Sequence, residues 1–185
     1  MAVLVEDVRT LMEGVRPFVE KRIDEWMVAH PDFVPPADVP LTSGFCRGIA
    51  AGVEEILREQ FPDWFWSVVG GHGVESYQDH FLDDEEADRS PGGMMDAQGE
   101  WCGHFWVRGG DPDDDHVGMI VDLSADQFGY EEVVVTELND SRYREHWWLG
   151  IDDKVRPSER AWGMQLYAMW KLDHQPELSW QSLCA

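Results

Sequence analysis

Three side chains of the sequence have the types, and follow the order, that nucleophilic acyl transfer can use. Cys46 lies in the stretch GFCRG, His104 begins the stretch HFW, and Asp122 follows the apolar residues IV. In such chemistry a thiolate attacks a carbonyl carbon and an imidazole moves the proton. A carboxylate then orients the imidazole and stabilises its cation. The three residues are therefore candidates for a catalytic triad, if the chain brings them together.

The sequence places Cys46 at the start of a helix. Thr42 or Ser43 is predicted to cap a helix over residues 44–60, whose first half is rich in glycine and alanine and could approach a sheet closely. Cys46 then lies in the first turn, where the helix dipole and the free backbone N–H groups favour a thiolate. The same N–H groups can bind the oxyanion of a tetrahedral intermediate.

Two neighbouring strands are predicted to carry the other two candidates. The stretches WCGHFWV (101–107) and VGMIVDL (117–123) are separated by a turn-like segment rich in Gly, Pro and Asp. Antiparallel pairing of the two strands would bring His104 and Asp122 within hydrogen-bonding distance. Trp106 falls on the same face of its strand as His104 and is predicted to shield the imidazole from water.

The three motifs, in this order and on these elements, resemble the transglutaminase-like branch of the papain-like cysteine enzymes. Members of that branch have Cys at a helix start, His in an H-x-W strand and Asp at the end of an apolar strand, in D-P-[TS]. The matching stretches are GFCRG, HFW and IVDLS, within residues 42–136; Phe45 replaces the usual tryptophan and Leu123 the common proline. The resemblance implies acyl transfer at a peptide or protein amide, of the peptidase, deamidase or transglutaminase kind. It implies no metal or organic cofactor.

The remaining pattern predicts a single α+β domain over residues 1–185 with a mainly antiparallel sheet. It consists of a helical segment and a proline-rich loop (1–41), a core (42–136) and a C-terminal segment (137–185). Its other elements are a helix over 3–29 broken near Gly14 and Pro17, a strand at 63–71, a long surface loop at 72–98, a strand at 131–138 and a helix over 157–174.

Charge and composition narrow the classes of partner. The chain has 37 acidic and 14 basic residues, a net charge of −23, and its 43% hydrophobic content is sufficient for a packed core. Such a charge repels nucleic acids and anionic membranes and suits a basic peptide or protein substrate. The N-terminus resembles neither a signal peptide nor a membrane span, and three widely spaced cysteines suggest no disulfide framework, so a cytoplasmic setting is expected.

Other interpretations remain open at the level of sequence. Each candidate side chain has an ordinary structural role when taken alone, so the chain could be a non-catalytic, acidic protein-interaction module with the same fold. Cys102 lies two residues from His104, so in a regular strand it would share the face of the imidazole. Cys46, Cys102 and His104 could then form a zinc site. His72, in the stretch GGHG, could also reach the site from a loop.

Overall fold

The structure, a computed structural model, describes residues 2–33, 40–73, 91–111, 114–146 and 155–177 of the 185-residue chain. These residues form helices and antiparallel sheets, which confirms the α+β class. The helices are α1 (Ala2–Ala29), α2 (Cys46–Gln60), the short 3-10 helix η1 (Ala125–Phe128) and α3 (Pro157–His174). The strands are β1 (Phe65–Gly71), β2 (Gly93–Met95), β3 (Trp101–Cys102), β4 (His104–Asp111), β5 (Asp114–Asp122), β6 (Val134–Glu137) and β7 (Tyr143–Arg144). No helix among them is long and apolar enough to cross a membrane.

Two antiparallel sheets carry the strands. The larger sheet has the order β1-β4-β5-β6 and the smaller has the order β3-β2-β7. The main hydrophobic core lies between one face of the larger sheet and the three α-helices. A second cluster covers the opposite face of the same sheet, around Trp106, Ile120 and Tyr143. Burial on both faces fixes the strand register, since a slip of one residue would exchange the two sets of side chains.

Helix α1 is continuous, so the predicted break near Gly14 and Pro17 is wrong. Pro17 lies inside the helix, where a proline typically costs about 3 kcal/mol. The helix tolerates this cost because burying each large apolar side chain contributes about 1.5–3 kcal/mol. Five such side chains on one stripe of α1 have 0% exposure: Val8, Met12, Val15, Val19 and Ile23. Most of the predicted proline-rich loop, at 34–39, lies outside the described residues.

Two predictions about the strands also need correction. The predicted loop at 72–98 contains β2, which pairs with both β3 and β7, while its central part lies outside the described residues. The predicted strand at 101–107 is two strands, β3 and β4, which are separated at Gly103 and belong to different sheets. The adjoining hairpin extends further than predicted, since β4 reaches Asp111 and β5 begins at Asp114. Backbone pairing of β4 with β5 thus continues into the acidic stretch.

The prediction that the small residues of α2 let it approach the sheet closely is wrong for its two glycines, which instead lie against α3. A Cβ atom built on Gly52 would lie 2.8 Å from the Gly163 carbonyl oxygen. A Cβ atom on Gly48 would lie 2.8 Å from the Trp162 ring. The contact between the two helices therefore leaves no room for side chains at these positions, and it fixes α2, with Cys46 at its start, against α3.

Replacing Gly163 by Val is expected to lower the free energy of unfolding by about 1–3 kcal/mol, since overpacked side chains force backbone shifts. The new Cβ would lie 2.6 Å from the Gly52 nitrogen and 2.7 Å from the Gly48 oxygen. Gly14→Ala is the control, because a Cβ there has no neighbour within 4 Å. It should raise stability by about 0.5–1 kcal/mol. Urea unfolding measures both, and a Gly163→Val variant as stable as wild type would contradict the close contact.

Candidate active site

The imidazole of His104 and the carboxylate of Asp122 are in direct contact, as the predicted hairpin requires. His104 begins β4 and Asp122 ends β5. Pairing of Val107 with Val121 makes the two residues diagonal neighbours on one face of the sheet. Nε2 of His104 lies 2.7 Å from Oδ2 of Asp122, and both side chains are buried.

Two further residues fix the orientation of the Asp122 carboxylate. Its Oδ1 accepts hydrogen bonds from the Ser124 backbone N–H at 2.8 Å and from the Ser124 hydroxyl at 3.0 Å. Its Oδ2 accepts a hydrogen bond from the Tyr143 hydroxyl at 3.1 Å, in addition to the one from His104. The Asp-x-Ser spacing is a sequence signal for the contact with Ser124, because an Asp side chain often bonds the backbone two residues further on. The contact with Tyr143 has no such signal, because Tyr143 belongs to β7 of the other sheet.

The contacts of this pair favour its charged form. Burial is the largest influence on the pKa of His104 and lowers it. The charge of Asp122 and the hydrogen bonds to Asp122 and Cys46 outweigh burial and raise that pKa to about 10. Burial likewise raises the pKa of Asp122, but His104 and Ser124 hold it below its usual range. At neutral pH the pair is therefore an imidazolium and a carboxylate.

Cys46 lies at the start of a helix, as the sequence predicted. It is the first residue of α2, its side chain is half-buried, and its interaction with the imidazole is one of the influences that raise the pKa of His104. Nε2 of His104 faces Asp122, and its Nδ1 lies 3.3 Å from Nε2 of Gln127. The Cys46 backbone N–H has no acceptor within the helix, because it belongs to the first turn.

The predicted cap of α2 is wrong. Phe45 is the N-cap residue, it makes no side-chain capping hydrogen bond, and the helix begins at Cys46 rather than at Gly44. Thr42 lies three residues before the N-cap, and its hydroxyl donates instead to Oδ1 of Asp126 at 2.6 Å. The helix start is therefore held by a contact with another part of the chain.

Aromatic and amide groups surround the His104 ring. Trp106 is 3% exposed and stacks at 6.1 Å between ring centroids, which confirms the predicted shielding. Phe128 of η1 packs edge-on against the ring at 4.8 Å. Nε2 of Gln127 lies 3.3 Å from Nδ1 of His104 and donates to the Ser124 carbonyl at 2.8 Å. Neither Phe128 nor Gln127 had a signal in the sequence.

Cys102 does not share the face of His104, contrary to the expectation from a regular strand. Its sulfur lies 4.0 Å from Oδ2 of Asp96 and 3.8 Å from the Glu100 carbonyl oxygen. The parity argument fails because Gly103 separates β3 from β4. Across the part of the chain that the structure describes, no group of three or more His, Cys, Asp or Glu side chains is placed to hold a metal ion. The zinc set of Cys46, Cys102 and His104 is thus not formed.

His72 follows β1 and contacts a histidine of another segment. Its backbone N–H lies 3.3 Å from Nδ1 of His146, and the two ring centroids are 6.4 Å apart. His146 is 4% exposed and packs over Gly92, where a Cβ would lie 2.4 Å from its Nε2. These contacts place His72 in the packing between β1 and the start of β2.

Replacing Tyr143 by Phe is expected to lower the free energy of unfolding by about 1.5–3 kcal/mol, the usual range for a hydrogen bond to a charged group. The control is Tyr130→Phe, which removes a hydroxyl that donates to the uncharged Met95 carbonyl at 2.8 Å. That loss should be smaller, about 0.5–1.5 kcal/mol. Denaturant unfolding at pH 7 compares the two, and equal losses would mean that the Asp122 contact is not charge-assisted.

No family model, curated protein or solved structure matches this chain. The case for a function therefore depends on the chain's own residues and their geometry.

Proposed function

We propose that this protein is a cysteine enzyme of the papain-like, transglutaminase-like kind, which transfers the acyl group of a peptide or protein amide. One observation carries the proposal. His104 and Asp122 form a buried ion pair, and Cys46, whose interaction with the imidazole is one of the influences that raise the pKa of His104, is the first residue of a helix. An activated nucleophile of this kind consists of a thiol, a base and a carboxylate that orients the base.

The first half of the reaction forms a thioester. The Cys46 sulfur, held as a thiolate by the imidazolium, attacks the amide carbon and gives a tetrahedral oxyanion. The Cys46 backbone N–H can donate to that oxyanion, and one such donor typically lowers the barrier by about 2.7–4 kcal/mol. His104 then gives its proton to the departing nitrogen as the carbon–nitrogen bond breaks. Asp122 stays ionised throughout.

The second half discharges the thioester. His104, now neutral, takes a proton from a water molecule or an amine as its oxygen or nitrogen attacks the thioester carbon. The carbon–sulfur bond breaks, and Cys46 leaves as the thiolate beside the regenerated imidazolium. A water acceptor makes the protein a peptidase or a deamidase, whereas an amine acceptor makes it a transglutaminase-like transferase.

Burial and charge indicate how a substrate would bind. Cys46 is half-buried, whereas His104 and Asp122 are buried, so the proposed nucleophile is the member of the three that a substrate would meet. Desolvation strengthens the interaction of the ion pair. The net charge of −23 favours a substrate with basic residues near the scissile amide and disfavours nucleic acid or anionic membranes. The proposed chemistry needs neither a metal nor an organic cofactor, and we propose a cytoplasmic setting.

A screen of peptide amides tests the proposal. We expect release of ammonia or an amine from basic peptides, faster than from acidic peptides of the same length, and no release by Cys46→Ala. Unfolding curves of both proteins provide the control for folding. A folded wild-type protein that binds basic peptides without turnover, and whose Cys46 is no more reactive than Cys102, would favour the non-catalytic interaction module instead.

A further inference from the structure

A buried polar cluster connects three distant segments of the chain next to the candidate site. Asp126 of η1 accepts a hydrogen bond from the Thr42 hydroxyl at 2.6 Å on Oδ1. Its Oδ2 accepts from Nη2 of Arg16, in α1, at 2.9 Å. Thr42 is 0% exposed and Arg16 is 6% exposed. The carboxylate of Asp126 thus joins α1 to the segment that leads into Cys46.

The Arg16 guanidinium also holds the chain on both sides of η1. Its Nη1 donates to the Leu123 carbonyl at 2.7 Å, directly after Asp122 in the chain, and to the Glu132 carbonyl at 3.1 Å. Its Nε donates to Glu20, one turn further along α1, at 3.2 Å. Arg16 therefore supports the backbone that carries Asp122, although α1 lies outside the core that the sequence motifs span.

The same short helix contacts the candidate base. Gln127 lies next to Nδ1 of His104, and Phe128 packs against the ring. Two consecutive residues of η1 therefore contact the imidazole. The residue before them, Asp126, contacts Thr42, which lies four residues before Cys46. This turn thus contacts both the imidazole and the segment that leads into Cys46.

We propose that Asp126 is a positioning residue, which sets the separation of the Cys46 sulfur and the His104 ring through its hydrogen bond to Thr42 and its ion pair with Arg16. The inference rests on the proposed function. Buried ion pairs stabilise a fold little compared with apolar groups of the same shape, and their best-supported use is to select one arrangement. Here the arrangement selected is the contact between the nucleophile and its base.

The test is the rate at which iodoacetamide alkylates Cys46 between pH 5 and 9, read by peptide mapping. Thr42→Val keeps the side-chain shape and removes the donor to Asp126. We expect it to slow alkylation at pH 6 by about tenfold to a hundredfold, the range that displacements of about 1 Å produce at active sites. Thr42→Ser, which keeps the hydroxyl, should restore the wild-type rate and pH profile.

Tyr167→Phe is the matched control, because it also removes a hydroxyl that donates to a carboxylate. Tyr167 donates to Glu59, near the other end of α2 from Cys46. We expect this variant to lose stability while its alkylation profile stays unchanged. If Thr42→Val fails to fold, Asp126→Asn weakens the same cluster and has the same expected result.

The outcomes separate this inference from the proposed function. A reactive wild-type Cys46 whose alkylation profile is unchanged in Thr42→Val or Asp126→Asn overturns the positioning role alone. A wild-type Cys46 that reacts no faster than Cys102 overturns the proposed function, and the positioning role with it. A slower profile in Thr42→Val, restored in Thr42→Ser, supports the inference even if no amide substrate is turned over.

Discussion

Replacing His104 by Ala is expected to slow the alkylation of Cys46 by iodoacetamide at pH 6 by about tenfold to a hundredfold. An isolated thiol has a pKa of about 8.5, so only about 0.3% is thiolate at pH 6. In the proposed mechanism the imidazole of His104 is the base that serves the Cys46 sulfur, so its loss leaves the sulfur without a base.

Cys102 provides an internal reference for this experiment. Its sulfur lies near Asp96 and Glu100, so both rates can be read from one digest of one protein. His174→Ala is the matched variant, since His174 is exposed and packs on Trp170 at the end of α3, near the other end of α2 from Cys46. Equal Cys46 rates in wild type and His104→Ala, with Cys102 as fast as Cys46, would show that the contact does not activate the thiol.

Replacing Asp122 by Ala is expected to lower the free energy of unfolding by about 3–5 kcal/mol at pH 7, because it leaves a buried partner without its counter-charge. His104 is 0% exposed, so no water can replace the carboxylate without a change in packing. Glu55→Ala is the control: Glu55 pairs with Arg58 at 3.4 Å, and the two side chains are 27% and 47% exposed. Its loss should cost about 1 kcal/mol or less.

The difference in stability between wild type and Asp122→Ala should depend on pH in a defined direction. The folded pKa of His104 is raised from 6.5 to about 10, so the stability from its protonation is complete below pH 6.5 and lost as pH rises through 10. The folded pKa of Asp122 is lowered from 3.8, so its contribution is complete above pH 3.8 and lost at lower pH. Urea unfolding should give the largest difference between these limits. A difference independent of pH would contradict an ionised pair.

The helix of Cys46 and the strands of His104 and Asp122 could be predicted because the spacing of nearby residues determines them. Apolar spacing and small residues indicate the helix after Cys46, and alternating β-branched and aromatic residues indicate the strands of His104 and Asp122. A hairpin is a local structure, so its two strands could be paired without knowledge of the rest of the fold. Trp106 followed from the period of two along the same strand.

The parts that were missed depend on contacts between distant segments. Tyr143 reaches Asp122 from the other sheet, and Asp126 bonds a threonine 84 residues away. No local spacing records such contacts. Thr42 has the residue type of a helix cap, but a tertiary partner takes its hydroxyl. The prediction for Cys102 failed because one glycine, Gly103, ended a strand that composition alone showed as continuous.

Acylation by p-nitrophenyl acetate tests most directly whether Cys46 and His104 transfer acyl groups. We expect a burst of one nitrophenolate per protein and an acetyl group on Cys46 in the quenched digest. Steady turnover should follow as His104 activates water. Cys46→Ala should show neither the burst nor the turnover, and His104→Ala should acylate slowly and fail to discharge. Acetyl groups spread evenly over Cys46 and Cys102, with no turnover after they form, would contradict acyl transfer by Cys46 and His104.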